Sequence, residues 1–287
     1  MTTSGPLTRP PASRWIWPVL MLLLGAAVPA AAIEFTVVTF NVDSGDRTDP
    51  RQVARDIAGI EPAPLWGLQE VDGPEDLAVI AAAIGPHYQA IIGSSGRYNG
   101  IPDDNLAIVF DPDALELIEA QELEQFSGSR KPLLARFVLR QSGQKFLFMV
   151  NHLQRDRIRV RNRQARELNA WARQQILPVM AVGHFNLDWH LRRRQGNQAF
   201  ELMVHEGIFR WIQPACLARG DCPATGTACD GDRPCIQTFV FVTGAAKFWR
   251  IESDLLFLDD ADYCRRATRG HSGHRPVRTV VRIPSGG

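Results

Sequence analysis

Ten short apolar runs, rich in Val, Ile, Leu and Phe, recur along this chain with helical patterns set between some of them, a rhythm that excludes an all-helical bundle. The runs are Phe35–Phe40, Leu65–Leu68, Ala90–Ile92, Leu106–Phe110, Ala135–Leu139, Lys145–Val150, Pro178–Val182, Phe239–Val242, Leu255–Leu258 and Val277–Ile283, all of strand length. Helical spacing is read over Pro50–Ile60, over Glu75–Ile84 behind the start signal Asp72-Gly73-Pro74, and over Arg157–Gln175 and Asn197–His205. Many strands suited to burial, with helices between some of them, predict an α+β or α/β sandwich with its sheets inside.

The first residues belong to a different kind of segment. Arg9 and Arg14 precede an apolar run from Trp15 to Ala27, and Val28-Pro29-Ala30-Ala31-Ala32 offers the small residues of a signal-peptidase site. The run falls short of the ~20 residues that span a bilayer, so residues 1–32 are read as a cleaved secretory signal and 33–287 as one domain. The expected product is exported, periplasmic or secreted, with no stable membrane association after cleavage, and monomeric. Its charges nearly cancel: the whole chain has 32 basic and 31 acidic residues, and the signal removes only arginines, so net charge points to no polyanionic partner.

All five cysteines, Cys216, Cys222, Cys229, Cys235 and Cys264, fall late in the chain. In an exported protein this crowding reads as disulfide stapling of a long loop, at about 214–236, and the spacing lacks the Cys-x-x-Cys pairs of common zinc sites. The connectivity stays open, and one thiol is left over or pairs between chains.

Polar residues cluster where the strands end. Thr39-Phe40-Asn41-Val42, Leu68-Gln69-Glu70-Val71, Val150-Asn151-His152-Leu153, Gly183-His184-Phe185-Asn186 and Ser272-Gly273-His274-Arg275-Pro276-Val277 occur in that order and span nearly all of residues 33–287. Together they resemble the ordered motifs of the endonuclease/exonuclease/phosphatase (DNase I-like) superfamily. The resemblance implies a four-layered α/β/β/α sandwich, with two central mixed sheets between helices and a cleft at one edge. It implies a divalent-metal-dependent phosphodiesterase or phosphomonoesterase, acting on a phosphate ester that includes nucleic acid among its candidates.

On that resemblance Glu70 and Asn41 hold the metal, Mg²⁺ first and Mn²⁺ or Zn²⁺ as alternatives, while His152, Asn186 and His274 surround the phosphate. These residue types suit the chemistry: a carboxylate binds a hard cation, and an imidazole donates a hydrogen bond or proton near neutral pH. The pattern departs from the family at three aspartates. His184 stands at one, Gly273 at the second, and Thr238 at the third if Ile236–Val242 aligns with the strand that bears it. His184 is thereby a candidate catalytic residue of altered chemistry, its imidazole better suited to Mn²⁺ or Zn²⁺ than to Mg²⁺.

Asp188, Asp254 and the Asp103-Asp104 pair are the carboxylates that can compensate. Arg155 and Arg192, within arginine-rich stretches after His152 and after Asn186, are candidate contacts to phosphate or to a polyanion. The losses predict weakened hydrolysis. The other readings are a catalytically inactive protein that binds a phosphorylated ligand, and a secreted interaction protein that uses only the scaffold.

Overall fold

A computed structural model describes residues 1–2, 5, 33–44, 48–98, 101–102, 104–229, 234–258, 260 and 262–284. The chain divides into two units, Met1–Ala30 and Ala31–Gly287, and every described strand and helix belongs to the second. The expected signal segment lies outside the described residues but for three of its positions, as does Asp103.

The strands are β1 (Ile33–Asn41), β2 (Leu65–Val71), β3 (Gln89–Ile92), β4 (Arg97–Tyr98), β5 (Ile101–Pro102), β6 (Asn105–Phe110), β7 (Leu115–Glu122), β8 (Leu133–Leu139), β9 (Gln144–His152), β10 (Val179–His190), β11 (Arg210–Trp211), β12 (Cys235–Thr243), β13 (Arg250–Leu255) and β14 (Val277–Ile283). The helices are α1 (Pro50–Ala58), α2 (Pro74–Ile84), α3 (Ile158–Ala172), α4 (Gln198–Met203), α5 (Ala215–Arg219) and α6 (Tyr263–Arg266). Twelve strands form two six-stranded sheets, ordered β13-β14-β1-β2-β6-β3 and β11-β12-β10-β9-β8-β7, and β4 and β5 form a small hairpin.

Each sheet has one parallel pair at its centre, β1 with β2 and β9 with β10; every other pairing within the two sheets is antiparallel. A parallel pair needs a long crossover, which α1 supplies in one sheet and α3 in the other. The carboxyl ends of β1, β2 and β9 carry Asn41, Glu70 and His152, and His184 lies where the β9–β10 pairing ends, opposite His152.

Strand residues alternate between two cores because successive side chains point to opposite faces. Phe35 and Val37 of β1 point between the sheets, into the same core as Phe148, Val182 and Val240 of the second sheet. Val38 and Phe40 face outward, beneath Val53 and Ile57 of α1 and Leu77 and Ile80 of α2. On the far side, Ala165 and Leu168 of α3 and Met203 of α4 cover the second sheet. The result is the expected α/β/β/α sandwich. At Gly67 the sheets approach so closely that a Cβ would come within 2.7 Å of Val182 Cγ2.

Besides the two-residue strands β4, β5 and β11, which no apolar run announces, two longer strands differ from the sequence expectation. The strand expected at Leu255–Leu258 is β13 at Arg250–Leu255, and β7 has no counterpart among the apolar runs. Both lie at sheet edges and have mixed burial, so their charged, half-exposed patterns hide the strand signal. Cys216 pairs with Cys222 and Cys229 with Cys264, leaving the buried Cys235 outside both disulfides.

Candidate functional site

Backbone irregularities aim the polar side chains. The β2–β6 register shifts between Leu68 and Val71, and Glu70 in that bulge has φ 57°. The β10–β12 register shifts between His184 and Trp189, with Asn186 at φ 53° and Asp188 at φ 45°. Left-handed conformations at residues other than glycine cost about 1–3 kcal/mol each and gather where function holds them.

Hydrogen bonds orient two amides and, through them, one ring. Asn41 Oδ1 accepts from Asp43 N at 2.9 Å, so Nδ2 is the atom that meets Glu70 Oε1 at 2.6 Å and His184 Nδ1 at 3.2 Å. Asn186 Nδ2 donates to Leu153 O at 2.9 Å, which leaves Oδ1 to accept from His184 Nε2 at 3.0 Å. His184 is therefore the tautomer protonated at Nε2, with Nδ1 facing a donor. Burial pushes its pKa well below the ordinary value; His274 and His152 add to the effect, against the bond to Asn186.

A stability prediction follows from that neutral ring. The folded pKa lies below the unfolded value near 6.5, so unfolded chains bind the proton first. The stabilisation is complete above about pH 6.5 and declines below it by about 1.4 kcal/mol per pH unit until the folded ring titrates. Urea unfolding of the protein and of His184→Gln at pH 7.5, 6.5 and 5.5 checks this. The stability difference between them should shrink by about 1.4 kcal/mol from pH 7.5 to 5.5, and a pH-independent difference contradicts it.

His152 lies between two carboxylates, its Nδ1 3.2 Å from Asp104 Oδ1 and its Nε2 3.4 Å from Glu70 Oε1. Arg130 pairs with the other oxygen of Asp104 and donates to His152 O at 3.3 Å. Burial opposes the Asp104 charge, but His152 and Arg130 outweigh it and hold the carboxyl below its usual range. The His184 ring centroid lies 5.1 Å from that of His152 and 4.8 Å from that of His274. His274 is held from below: its N–H donates to Ser272 Oγ at 3.0 Å, and Ser272 Oγ donates to Asn41 O at 2.7 Å.

The three departures have distinct surroundings. His184 is clasped by two amides. Beside Gly273 a Cβ would stand 3.7 Å from Asp43 Oδ2, so Asp43 brings a carboxylate near that position. Thr238 lies opposite His184 in the ladder, and its buried hydroxyl has no hydrogen-bond partner among the described residues.

Of the compensating carboxylates, Asp188 and Asp254 lie outside the cluster. Asp188 accepts from Asn197 Nδ2 at 3.1 Å and Gln237 Nε2 at 2.9 Å. Asp254 accepts from Cys216 N at 3.1 Å and pairs with Arg219 at 2.7 Å. Asp104, from the loop before β6, is the one that enters. Arg155 is exposed three residues after His152, and its charge is among those that depress the His184 pKa. Arg192 is exposed in the turn after β10.

Glu70, Asp104 and His152 form a donor set that fits a divalent ion, each offering a ligand atom, all within 4.8 Å of one another. Two carboxylates and an imidazole suit Mn²⁺ or Zn²⁺ better than Mg²⁺. Asn41 turns its N–H₂ toward Glu70 and so pins that carboxylate, its oxygen being taken by Asp43 N. His184 likewise has both nitrogens engaged. Asp43 and Arg130 were outside the expected site residues, whereas Asp104 was among the expected compensating carboxylates, as half of an acidic pair preceding a strand.

No protein-family model matches the chain, and no curated protein matches it in sequence. Solved structures do match. An endonuclease/exonuclease/phosphatase family protein from Bacteroides thetaiotaomicron is 18% identical with a TM-score of 0.63, over 88% of this chain and 96% of that one. The human Nocturnin catalytic domain with bound sulfate is 14% identical with a TM-score of 0.64, over 87% and 95%. A mannosyl-6-phosphatase of Bacteroides thetaiotaomicron is 19% identical with a TM-score of 0.60, over 85% and 98%. Two mixed six-stranded sheets between helices, matched over nearly the full length of these proteins, give this chain the fold of the endonuclease/exonuclease/phosphatase (DNase I-like) superfamily.

Proposed function

We propose that the chain is an exported phosphoesterase whose site is rebuilt around imidazoles. The observation that carries this reading is the convergence of Glu70, Asp104, His152, Asn186 and His274 around His184 at the sheet edge. His152 and His274 are the phosphate contacts, Asp104 orients His152, and Asn41 holds Glu70. Glu70, Asp104 and His152 would hold a divalent ion, which when bound supplies neutralisation of the phosphoryl oxygens. His184 positions Asn186 and Asn41 and adds no charge of its own to the centre. Residues 1–32 as a signal and two disulfides accord with export.

Uncompensated arginines favour an extended phosphodiester substrate over a small monoester. Arg157 before α3, Arg159, Arg163 and Arg166 within it, and Arg192, Arg193 and Arg194 after β10, are exposed and make no ion pair among the described residues. Asn162 Nδ2 of α3 donates to Gln198 Oε1 of α4 at 2.6 Å, which joins the two segments. Binding of a labelled single-stranded oligonucleotide, followed by anisotropy, should weaken with salt. Each arginine that contacts phosphate contributes about 0.7 to the slope of log K against log[salt]. Substituting Arg159, Arg163 and Arg193 by Ala should flatten the slope, and an unchanged slope contradicts the polyanion reading.

Activity is tested with phosphodiester and phosphomonoester substrates under Mg²⁺, Mn²⁺ and Zn²⁺. The expected result is metal-supported turnover that Glu70→Gln removes. Turnover indifferent to Glu70→Gln overturns this assignment, and metal-independent phosphate binding without turnover favours the inactive-binder reading.

A further inference from the structure

We propose that the Cys229–Cys264 disulfide and Tyr263 form a clamp that positions His274, so that the cysteine-rich loop is part of the site's machinery. The inference rests on the reading of His274 as a phosphate contact.

The clamp is built from contacts on both sides of His274. On one side, the segment Thr225–Cys229 lies against the histidine's own backbone. Cys229 N donates to Gly273 O at 2.7 Å, Ala228 forms an antiparallel bridge with His274, and Arg275 N donates to Thr227 O at 2.8 Å. Thr227 is itself tied down, its Oγ1 accepting from Gln237 N of β12 at 2.8 Å. On the other side stands α6. Tyr263 is buried and its hydroxyl donates to His274 O. Its ring stacks on Phe257 at 5.2 Å and carries the Arg275 guanidinium 4.8 Å from its centroid.

The disulfide joins these two sides. Cys229 ends the first segment and Cys264 follows Tyr263 directly, and the bond closes a loop of 35 residues. Arg275 Nη1 spans the same junction, donating to Thr225 Oγ1 at 3.1 Å and to Cys264 Sγ at 3.4 Å. Among the described residues, what else joins α6 to the Thr225–Cys229 segment is Arg275, a 3.9 Å contact of Thr225 Oγ1 with Cys264 Sγ, and their separate contacts to the 273–275 backbone. The second disulfide, Cys216–Cys222, closes a loop of six residues around α5 and makes none of these contacts.

The physical need for such a clamp follows from the neighbouring substitutions. Gly273 precedes the histidine, and Thr238 provides a hydroxyl where the aligned family strand carries a carboxylate. A histidine preceded by glycine, on a connection between α6 and β14, gains conformational freedom unless its backbone is fixed. In this chain the fixing comes through main-chain bonds whose partners the disulfide keeps in register.

The test compares the full-length protein with Cys229→Ser/Cys264→Ser, with Cys216→Ser/Cys222→Ser as control, and with Tyr263→Phe. Amide hydrogen exchange of residues 272–276 should accelerate at least 10-fold in the first variant, about 3-fold in Tyr263→Phe, and not in the control. Affinity for inorganic phosphate should fall in the same order. Unchanged exchange at 272–276 in Cys229→Ser/Cys264→Ser overturns the clamp. Faster exchange with phosphate affinity untouched, both there and in His274→Ala, overturns the positioning role by removing the reading of His274 on which it rests.

Discussion

Replacing Gly183 by Ala is expected to cost about 4 kcal/mol and to lower the unfolding midpoint by roughly 8–16 °C. Gly183 has φ 137°, and an added Cβ would lie 2.0 Å from Asn151 O and 2.9 Å from Asn151 N. Both contacts are to backbone in the adjacent parallel strand, so relief requires β9 and β10 to separate at the point where His152 and His184 are paired. Gly143→Ala is the control: it too has a left-handed φ, at 73°, but meets nothing within 4 Å. It should cost about 1 kcal/mol. Equal midpoints for the two variants, measured by calorimetry, would remove the close-approach argument.

His152→Gln is expected to lower kcat by about 10²–10⁴-fold. Among the described residues the ring is the only side chain that touches both Asp104 and Glu70, at 3.2 and 3.4 Å, and it is almost wholly buried. Asp104→Asn should lower kcat less, because an amide still bonds to the ring, and it should shift the acidic limb of the pH–rate profile. The double variant should be no slower than His152→Gln, since partners acting as one unit are not additive. A multiplicative loss in the double variant, or an unaltered kcat in His152→Gln, contradicts the assigned roles.

The central strands were legible in the sequence because both their faces are buried. β1, β2, β9 and β10 read as unbroken apolar runs with a polar residue at the end, and that ending located Asn41, Glu70 and His152. β7 and β13 were illegible as strands, since an edge strand covered on one side carries charges that no periodicity singles out. Asp104 was visible as an acid before a strand, yet nothing local distinguishes it from Asp188 or Asp254. Its selection comes from pairing with His152, 48 residues away. Arg130 offered no signal, because a loop arginine is ordinary until a carboxylate is brought against it.

What the sequence by itself determined is the set of residues delivered to the sheet edge, since strand period and strand ends are local properties. Only the tertiary structure decided what those residues are chemically. Asn41 becomes a donor to Glu70 because Asp43 N occupies its oxygen. His184 becomes a neutral ring because two amides and two histidines surround it away from water. The pairing of five cysteines, and with it the clamp on His274, was likewise decided in space. Protonation, donor direction and disulfide partner are set by distances between groups far apart in the chain, and those distances exist only once the two sheets have packed.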